Sequence, residues 1–275
     1  METRQDHSGI IARWHAGLPL MLPALAGIAY LVAAGAPGSF AIVNAGALAV
    51  GLALIALVRF PASSRARIVV LFALCSILAI PLTFGPWIDG ISRWIAVGGF
   101  TLHTGFLAAP LLVRIAAGEI GSGPWFLLAA ILLAFAQPDF ATCLALSCGA
   151  LTIAISNRNG TMLAVTVLGF AASIGASFAA PLPPQTFVER ILPELWVSSP
   201  LAASALALSL IAAAGALLAT ARIALPQRLA LLGCMTGFVI AAFLGDYPYP
   251  LIGYGAASLL GFAIALITPR PAARS

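Results

Sequence analysis

The sequence predicts an all-α, polytopic integral membrane protein of about ten transmembrane helices, a crossing needing roughly 20 apolar residues. Three observations carry that prediction. Of 275 residues, 62% are hydrophobic and only 8% are charged, against about a quarter charged in a soluble domain. The mean hydropathy is +1.09. Apolar runs near crossing length recur along the whole chain, and the charges fall almost entirely between them. Such a chain has too little polar surface to cover a globule, so lipid is its solvent.

The runs span 17–35, 39–58, 68–85, 103–117, 122–137, 140–156, 161–181, 200–221, 226–244 and 249–267. The fourth and fifth are short, which suits broken or tilted segments. Several edges carry their own stop or start signal. Pro37-Gly38 closes the first run, and Asn157-Arg158-Asn159-Gly160 reads as a turn. Pro200 suits a first helical position with Ser199 as its N-cap. The first run is too long for a signal-peptide core, so it is expected to stay as a helix. The domain reading is a cytoplasmic tail over 1–16, one transmembrane domain over 17–267 and a second cytoplasmic tail over 268–275. The four cysteines, Cys75, Cys143, Cys148 and Cys234, lie inside apolar runs without CxxC spacing. They read as small core residues, with no disulfide and no metal site.

All basic residues are arginine, and the formal net charge is +5. The arginines stand singly or in small groups between apolar runs, which is a topology signal and not a nucleic-acid groove. With the N-terminus inside, the cytoplasmic segments hold Arg4, Arg13, Arg59, Arg65, Arg67, Arg114, Arg158, Arg222, Arg228, Arg270 and Arg274. The external segments hold only Arg93 and Arg190. The helix count and the positive-inside rule therefore agree on a cytoplasmic N-terminus. Acidic residues lean the other way: Asp89, Asp139, Glu189, Glu194 and Asp246 fall outside, against Glu2, Asp6 and Glu119 inside. Carboxylates contribute little to topology, so their clustering marks the outer face as the place for chemistry.

Three external segments follow. Asp89–Gly98 sets Arg93 beside Trp94 at the interface, where an arginine and a tryptophan ordinarily touch lipid headgroups. In Gln137-Pro138-Asp139, Pro138 breaks a helix and Asp139 reads as the cap of the next one. Alternatively Gln137 and Asp139 line a polar cavity, as ionisable groups at membrane depth usually do. In the loop 181–199, Glu189 and Arg190 read as a solvated surface pair. Glu194 lies against Leu195 and Trp196; it is either a solvated loop carboxylate or one able to act as a base. His7 and His15 lack ligand-type company, and His103 stands alone at an apolar helix end, where a hydrogen bond is the expected role.

Four segments in order resemble one family. Gly90–Gly98, Gln137-Pro138-Asp139 with Thr142, Leu192-Pro193-Glu194, and Gly245–Ser258 are similar to the motifs of the SEDS proteins (shape, elongation, division and sporulation; RodA, FtsW and SpoVE). The resemblance spans about residue 85 to the C-terminus. It implies a peptidoglycan glycosyltransferase that polymerises lipid II on the outer face of the bacterial cytoplasmic membrane, in cell shape or division, beside a class B penicillin-binding protein. On that reading Glu194 is the catalytic base. Arg93 and Trp94 meet the diphosphate of lipid II or another polyprenyl-diphosphate-linked sugar, and Gln137 and Asp139 shape the cavity. No cofactor is predicted, and a divalent metal assisting the diphosphate stays open. The chain departs from the family pattern at its aspartate (Ser198 here), its histidine (Trp196), the glutamate and lysine after the first motif (Phe106 and Ala109), and the first arginine of the pair (Ser92). Those losses keep two alternatives in view: a catalytically inactive scaffold binding a precursor or a partner helix, and a small lipid transporter or flippase. Nucleic acid is not an expected partner.

Overall fold

The computed structural model describes residues 15–179 and 182–269. The predicted tails, 1–16 and 268–275, fall mostly outside those residues. After a 3-10 turn at His15–Gly17 come α1 (Leu18–Ala33), α2 (Gly38–Leu57) and α3 (Ser64–Phe84). A hairpin of β1 (Trp94–Val97) and β2 (Phe100–His103) follows, then α4 (Thr104–Gly118), α5 (Gly123–Ala136), α6 (Phe140–Asn157) and α7 (Gly160–Ala176). The short α8 (Ile191–Ser198) precedes α9 (Pro200–Ala219), α10 (Leu225–Leu244) and α11 (Ala256–Leu266). Leaving α8 aside, the described residues form ten apolar helices, in the number and order the sequence predicts. Five of them, α2, α3, α6, α9 and α10, are long and apolar enough to cross a membrane outright.

Local chemistry sets the helix starts. Side chains of Ser63, Asp139 and Asn159 accept hydrogen bonds from the third residue onward, at Ala66, Thr142 and Met162, which satisfies otherwise orphaned N–H groups. Proline opens α5, α9 and α10, where its missing N–H costs nothing. Ser199 flanks α9 as expected, but its side chain makes no cap bond. The run predicted over 249–267 is helical only from Ala256. Pro248 and Pro250 cannot donate to a helix, and Gly255 sits at a φ of 151°.

Helix α4 is the axis of the bundle. Its residues are buried on almost every side, and it touches α3, α5, α6, α10 and α11. Glycine makes two of these crossings close enough for backbones to meet. A Cβ on Gly105 would overlap the Thr142 side chain of α6, and one on Gly261 of α11 would overlap the carbonyls of Phe106 and Leu107. Near the other end of α4, the wholly buried Arg114 donates from Nη1 to the carbonyls of Ala265 and Ile267, each at 2.6 Å, and lies 4.0 Å over the Phe60 ring. A cation there completes the carboxyl end of α11, where carbonyls lack helical partners.

Charge divides between the ends. Arg59, Arg65, Arg67, Arg158 and Arg222 lie at the end opposite the hairpin, where Arg67 pairs with Glu119 at 2.5 Å. Arg93 and Arg190 share the hairpin end with Asp89, Asp139, Glu189, Glu194 and Asp246.

Gly261→Ala is expected to destabilise the purified protein by about 1–3 kcal/mol, as overpacking does. Gly46→Ala, whose Cβ would meet nothing, is expected to leave unfolding unchanged or to slow it. Thermal melts in detergent check both. Equal melts for the two variants would contradict the packing at α4 and α11.

Candidate functional site

The external segment 89–98 supplies the first strand of a β-hairpin. Trp94-Ile-Ala-Val97 pairs antiparallel with Phe100-Thr-Leu-His103, and Gly98 and Gly99 turn the chain at φ of 56° and 83°. Two positive φ values in a two-residue loop are the I′ geometry that matches strand twist, and glycine adopts it without strain. The base of the hairpin is fastened on both sides. The Ser92 hydroxyl donates to the Pro81 carbonyl of α3, and Arg93 O accepts from Thr104 N at 3.0 Å and from the Thr104 hydroxyl at 3.2 Å.

That fastening buries Arg93. Only 3% of the residue is exposed, so it does not reach out to headgroups as an ordinary interfacial arginine does. Its guanidinium carbon lies 4.6 Å from the Trp94 ring centre and 4.7 Å from that of Tyr247. Cation–π contact on two faces holds the group, but Nε and Nη1 are buried without a hydrogen-bond partner. Tyr247 comes from the loop 245–255. Asn44 of α2 fixes that loop, donating to Gly253 O at 3.0 Å and accepting from Gly255 N at 3.1 Å, and Phe40 stacks on Tyr254 at 3.8 Å.

Asp139 and Gln137 are fully buried beside this layer. Asp139 Oδ1 caps α6 through Thr142 N at 3.1 Å, as its sequence position predicts. Its Oδ2 has no hydrogen bond and lies 3.6 Å from His103 Nε2. Gln137 donates to the Leu78 carbonyl of α3, and its Oε1 is unpartnered. The capping reading of Asp139 holds, Gln137 braces α3, and neither side chain is among those lining the two cavities described below. His103 is not alone. It caps α4 through Nδ1, which accepts from Phe106 N at 3.4 Å, and it faces Asp139. Burial pushes the imidazole down to about 4, with Asp139 pulling it back up and Arg93 pushing it down further.

Two cavities flank this layer. The first, about 430 Å³, is lined by Ile91, Arg93, Pro138, Phe140, Asp246 and Tyr247 among others. The second, about 370 Å³, is lined by Trp94, His103, Tyr249 and Tyr254 among others. An apolar groove of about 670 Å³ between α8, α9 and α10 adjoins the first cavity at Leu244 and Gly245.

The structure links Arg93 and Trp94 to Asp139 through His103, sets Gln137 against α3 and leaves Glu194 apart. Glu194 is exposed on α8 and lies 3.8 Å from Arg190, which in turn reaches Asp246 at 3.3 Å. Neither cavity wall includes it. Ser198, at the position of the family's aspartate, is also exposed, and its hydroxyl turns back to the carbonyls of Glu194 and Leu195. Phe106, at the position of the family's glutamate, stacks on Phe238 at 4.1 Å. Sequence reasoning missed the contributions of His103 and Tyr247. The pair Gly98-Gly99 between β-forming stretches was the available hairpin signal, and a hairpin sets Trp94 opposite His103.

No family model matches the chain, and no curated protein matches it in sequence. Solved structures do. The crystal structure of the Thermus thermophilus rod-shape-determining protein RodA is 20% identical, with a TM-score of 0.65, over 92% of this chain and 95% of that one. An aspartate-to-alanine variant of the same protein gives a TM-score of 0.68 at 20% identity, over 92% and 96%. A chain from a peptidoglycan synthase complex that coordinates polymerization and crosslinking gives 0.56 at 18% identity, over 91% and 95%. The chain therefore has the polytopic fold of RodA.

Two outcomes check this geometry. Asp139→Ala removes the α6 cap and is expected to cost about 0.5–2 kcal/mol, whereas Asp139→Asn keeps an accepting oxygen and costs less; detergent denaturation measures both. The His103 imidazole is expected to stay neutral down to about pH 5 in ¹⁵N NMR. Its folded pKa lies below the unfolded value of about 6.5. The neutral ring thus favours the folded state above that pH, and the contribution is lost as pH falls from about 6.5 towards 4. Protonation near pH 6.5 would contradict the burial.

Proposed function

We propose that this chain is a divergent, minimal SEDS-type protein of the bacterial cytoplasmic membrane that binds a polyprenyl-diphosphate-linked sugar such as lipid II and transfers that sugar in peptidoglycan synthesis. One observation carries the reading: Arg93 is a buried cation with two unpartnered donors in the wall of an open cavity. Buried guanidinium donors left unpaired are costly, and a diphosphate oxygen supplies acceptors for them together with negative charge. Arginine suits phosphate because its donors form a planar fork. The apolar groove that meets this cavity at Leu244 and Gly245 has the chemistry for the prenyl chain of the same ligand. Glu194 belongs to the rim of this arrangement, linked to it through Arg190 and Asp246. The arginine-rich end is assigned to the cytoplasm, and with it the N-terminus, which puts the cavity on the outer face. A class B penicillin-binding protein is the proposed partner; the fold shared with a chain of a synthase complex supports it.

A second reading has its own support. The positions matching the family's aspartate, glutamate and lysine hold Ser198, Phe106 and Ala109, which favours a protein that binds the precursor without transferring it.

Nanodisc titration with undecaprenyl diphosphate tests the shared part. Wild type is expected to bind, and Arg93→Ala to bind at least about tenfold more weakly, since hydrogen bonds to charged groups contribute about 1.5–3 kcal/mol. Arg93→Lys should fall between, keeping charge but losing the fork. Equal affinity for Arg93→Ala would refute the reading. Incubation with labelled lipid II then separates the two: glycan polymer marks a transferase, and binding without polymer marks a scaffold.

A further inference from the structure

The solvated pair expected of Glu189 and Arg190 gives way to other partners. Glu189 accepts from Gln185 N at 2.6 Å. Arg190 reaches Asp246 through Nη1 at 3.3 Å and Glu194 through Nε at 3.8 Å. The second outer arginine is thereby tied to the same loop as the first. Asp246 and Tyr247 are consecutive residues; Arg190 contacts the one, and the Arg93 guanidinium lies 4.7 Å from the ring centre of the other. The junction of two cavities runs past that pair. Arg190 stands in the wall of the apolar groove, Arg93 and Asp246 stand in the wall of the 430 Å³ cavity, and Leu244 and Gly245 belong to both walls.

We propose that this junction is built for a two-phosphate headgroup, with Arg190 on the prenyl-side phosphate and Arg93 on the sugar-side phosphate; this rests on the function proposed above. A diphosphate carries negative charge on each of its phosphates, and one guanidinium answers only part of it. The order of contacts follows from the path of the ligand. A prenyl chain lying in the groove enters the cavity past Gly245, so the phosphate it carries first meets Arg190. The next phosphate reaches the enclosed Arg93, which is 3% exposed against 51% for the Arg190 side chain.

The present partners of Arg190 suit that exchange. Both contacts are long and half-exposed, so turning the guanidinium towards a phosphate gives up little. Its fork carries five N–H donors, more than two such contacts occupy. Asp246 and Glu194 are carboxylates that would repel an anion if left alone, and Arg190 keeps positive charge beside both. Arg93 and Arg190 thus divide the work by depth: the first is fixed between two rings, and the second is a movable cation at the mouth.

The test titrates full-length protein in nanodiscs with undecaprenyl diphosphate and with undecaprenyl monophosphate. A monophosphate anchored by its prenyl chain brings its phosphate to Arg190 and nothing to Arg93. Arg190→Gln, with Arg190→Ala as a second variant should the first melt early, is expected to weaken both ligands about fivefold, the upper range for a partly exposed charge pair. Arg93→Ala is expected to weaken the diphosphate alone. The Arg190→Gln loss should persist in an Asp246→Asn background, since a direct contact does not need that carboxylate. Folded Arg190 variants that bind both ligands within about twofold of wild type overturn the proposal and leave the proposed function standing. A loss that vanishes in the Asp246→Asn background also overturns it, because Arg190 then acts only by neutralising Asp246. So does wild type that takes the diphosphate but no monophosphate, or Arg93→Ala that weakens both ligands equally. Wild type that binds no undecaprenyl diphosphate removes the proposed function and this inference together.

Discussion

The hairpin end of the molecule is organised around one buried cation. Arg93 sits between two aromatic rings, its backbone tied to α4 and its neighbour Ser92 to α3. The elements that meet there come from distant parts of the chain: the hairpin, the start of α6 and the loop before α11. Tyr247 covers one face of the guanidinium, so the loop 245–255 must be held in place, which Asn44 and Phe40 of α2 do. Asp139 is held by its capping bond to α6, within electrostatic reach of Tyr247 and His103. Without the guanidinium there is little reason for so much polar chemistry to gather in an otherwise apolar bundle.

A second buried arginine shows what a purely structural role looks like. Arg114 is as enclosed as Arg93, but its Nη1 meets two carbonyls at the end of α11. It is a clamp between helices, with acceptors that the fold itself supplies. Arg93 has rings on both faces and no acceptor for Nε or Nη1. Nε of Arg114 is unpartnered as well, so the contrast lies at Nη1, which the fold satisfies in Arg114 and leaves without an acceptor in Arg93.

The bundle was legible in the sequence because lipid leaves few options. Backbone groups in hydrocarbon must pair within their own segment, so each long apolar run becomes a helix. Asp139 was readable as a cap from its place after Pro138, and Pro200 as a helix start. The departures have local causes. The last run lost its first residues to Pro248, Pro250 and Gly255, whose geometry is not helical. The segment 89–98 was read as an interfacial stretch because Arg93 and Trp94 sit side by side, while the second turn glycine, Gly99, and the whole of β2 lay beyond the motif that drew attention. Once the hairpin forms, His103 is brought across from Trp94 and beside Asp139, 36 positions later in sequence. Pairing of that range carries no periodicity and no local motif. Glu194 matched a motif, but α8 turns it to solvent, where it faces Arg190 four residues before it.

Photo-crosslinking of the full-length protein in nanodiscs with a diazirine-bearing polyprenyl diphosphate, followed by peptide mapping, tests most directly whether Arg93 marks a diphosphate site. Label on the hairpin and on the 245–255 loop, competed by unlabelled undecaprenyl diphosphate, is the expected result. Label confined to lipid-facing helices, or insensitive to that competitor, would contradict it.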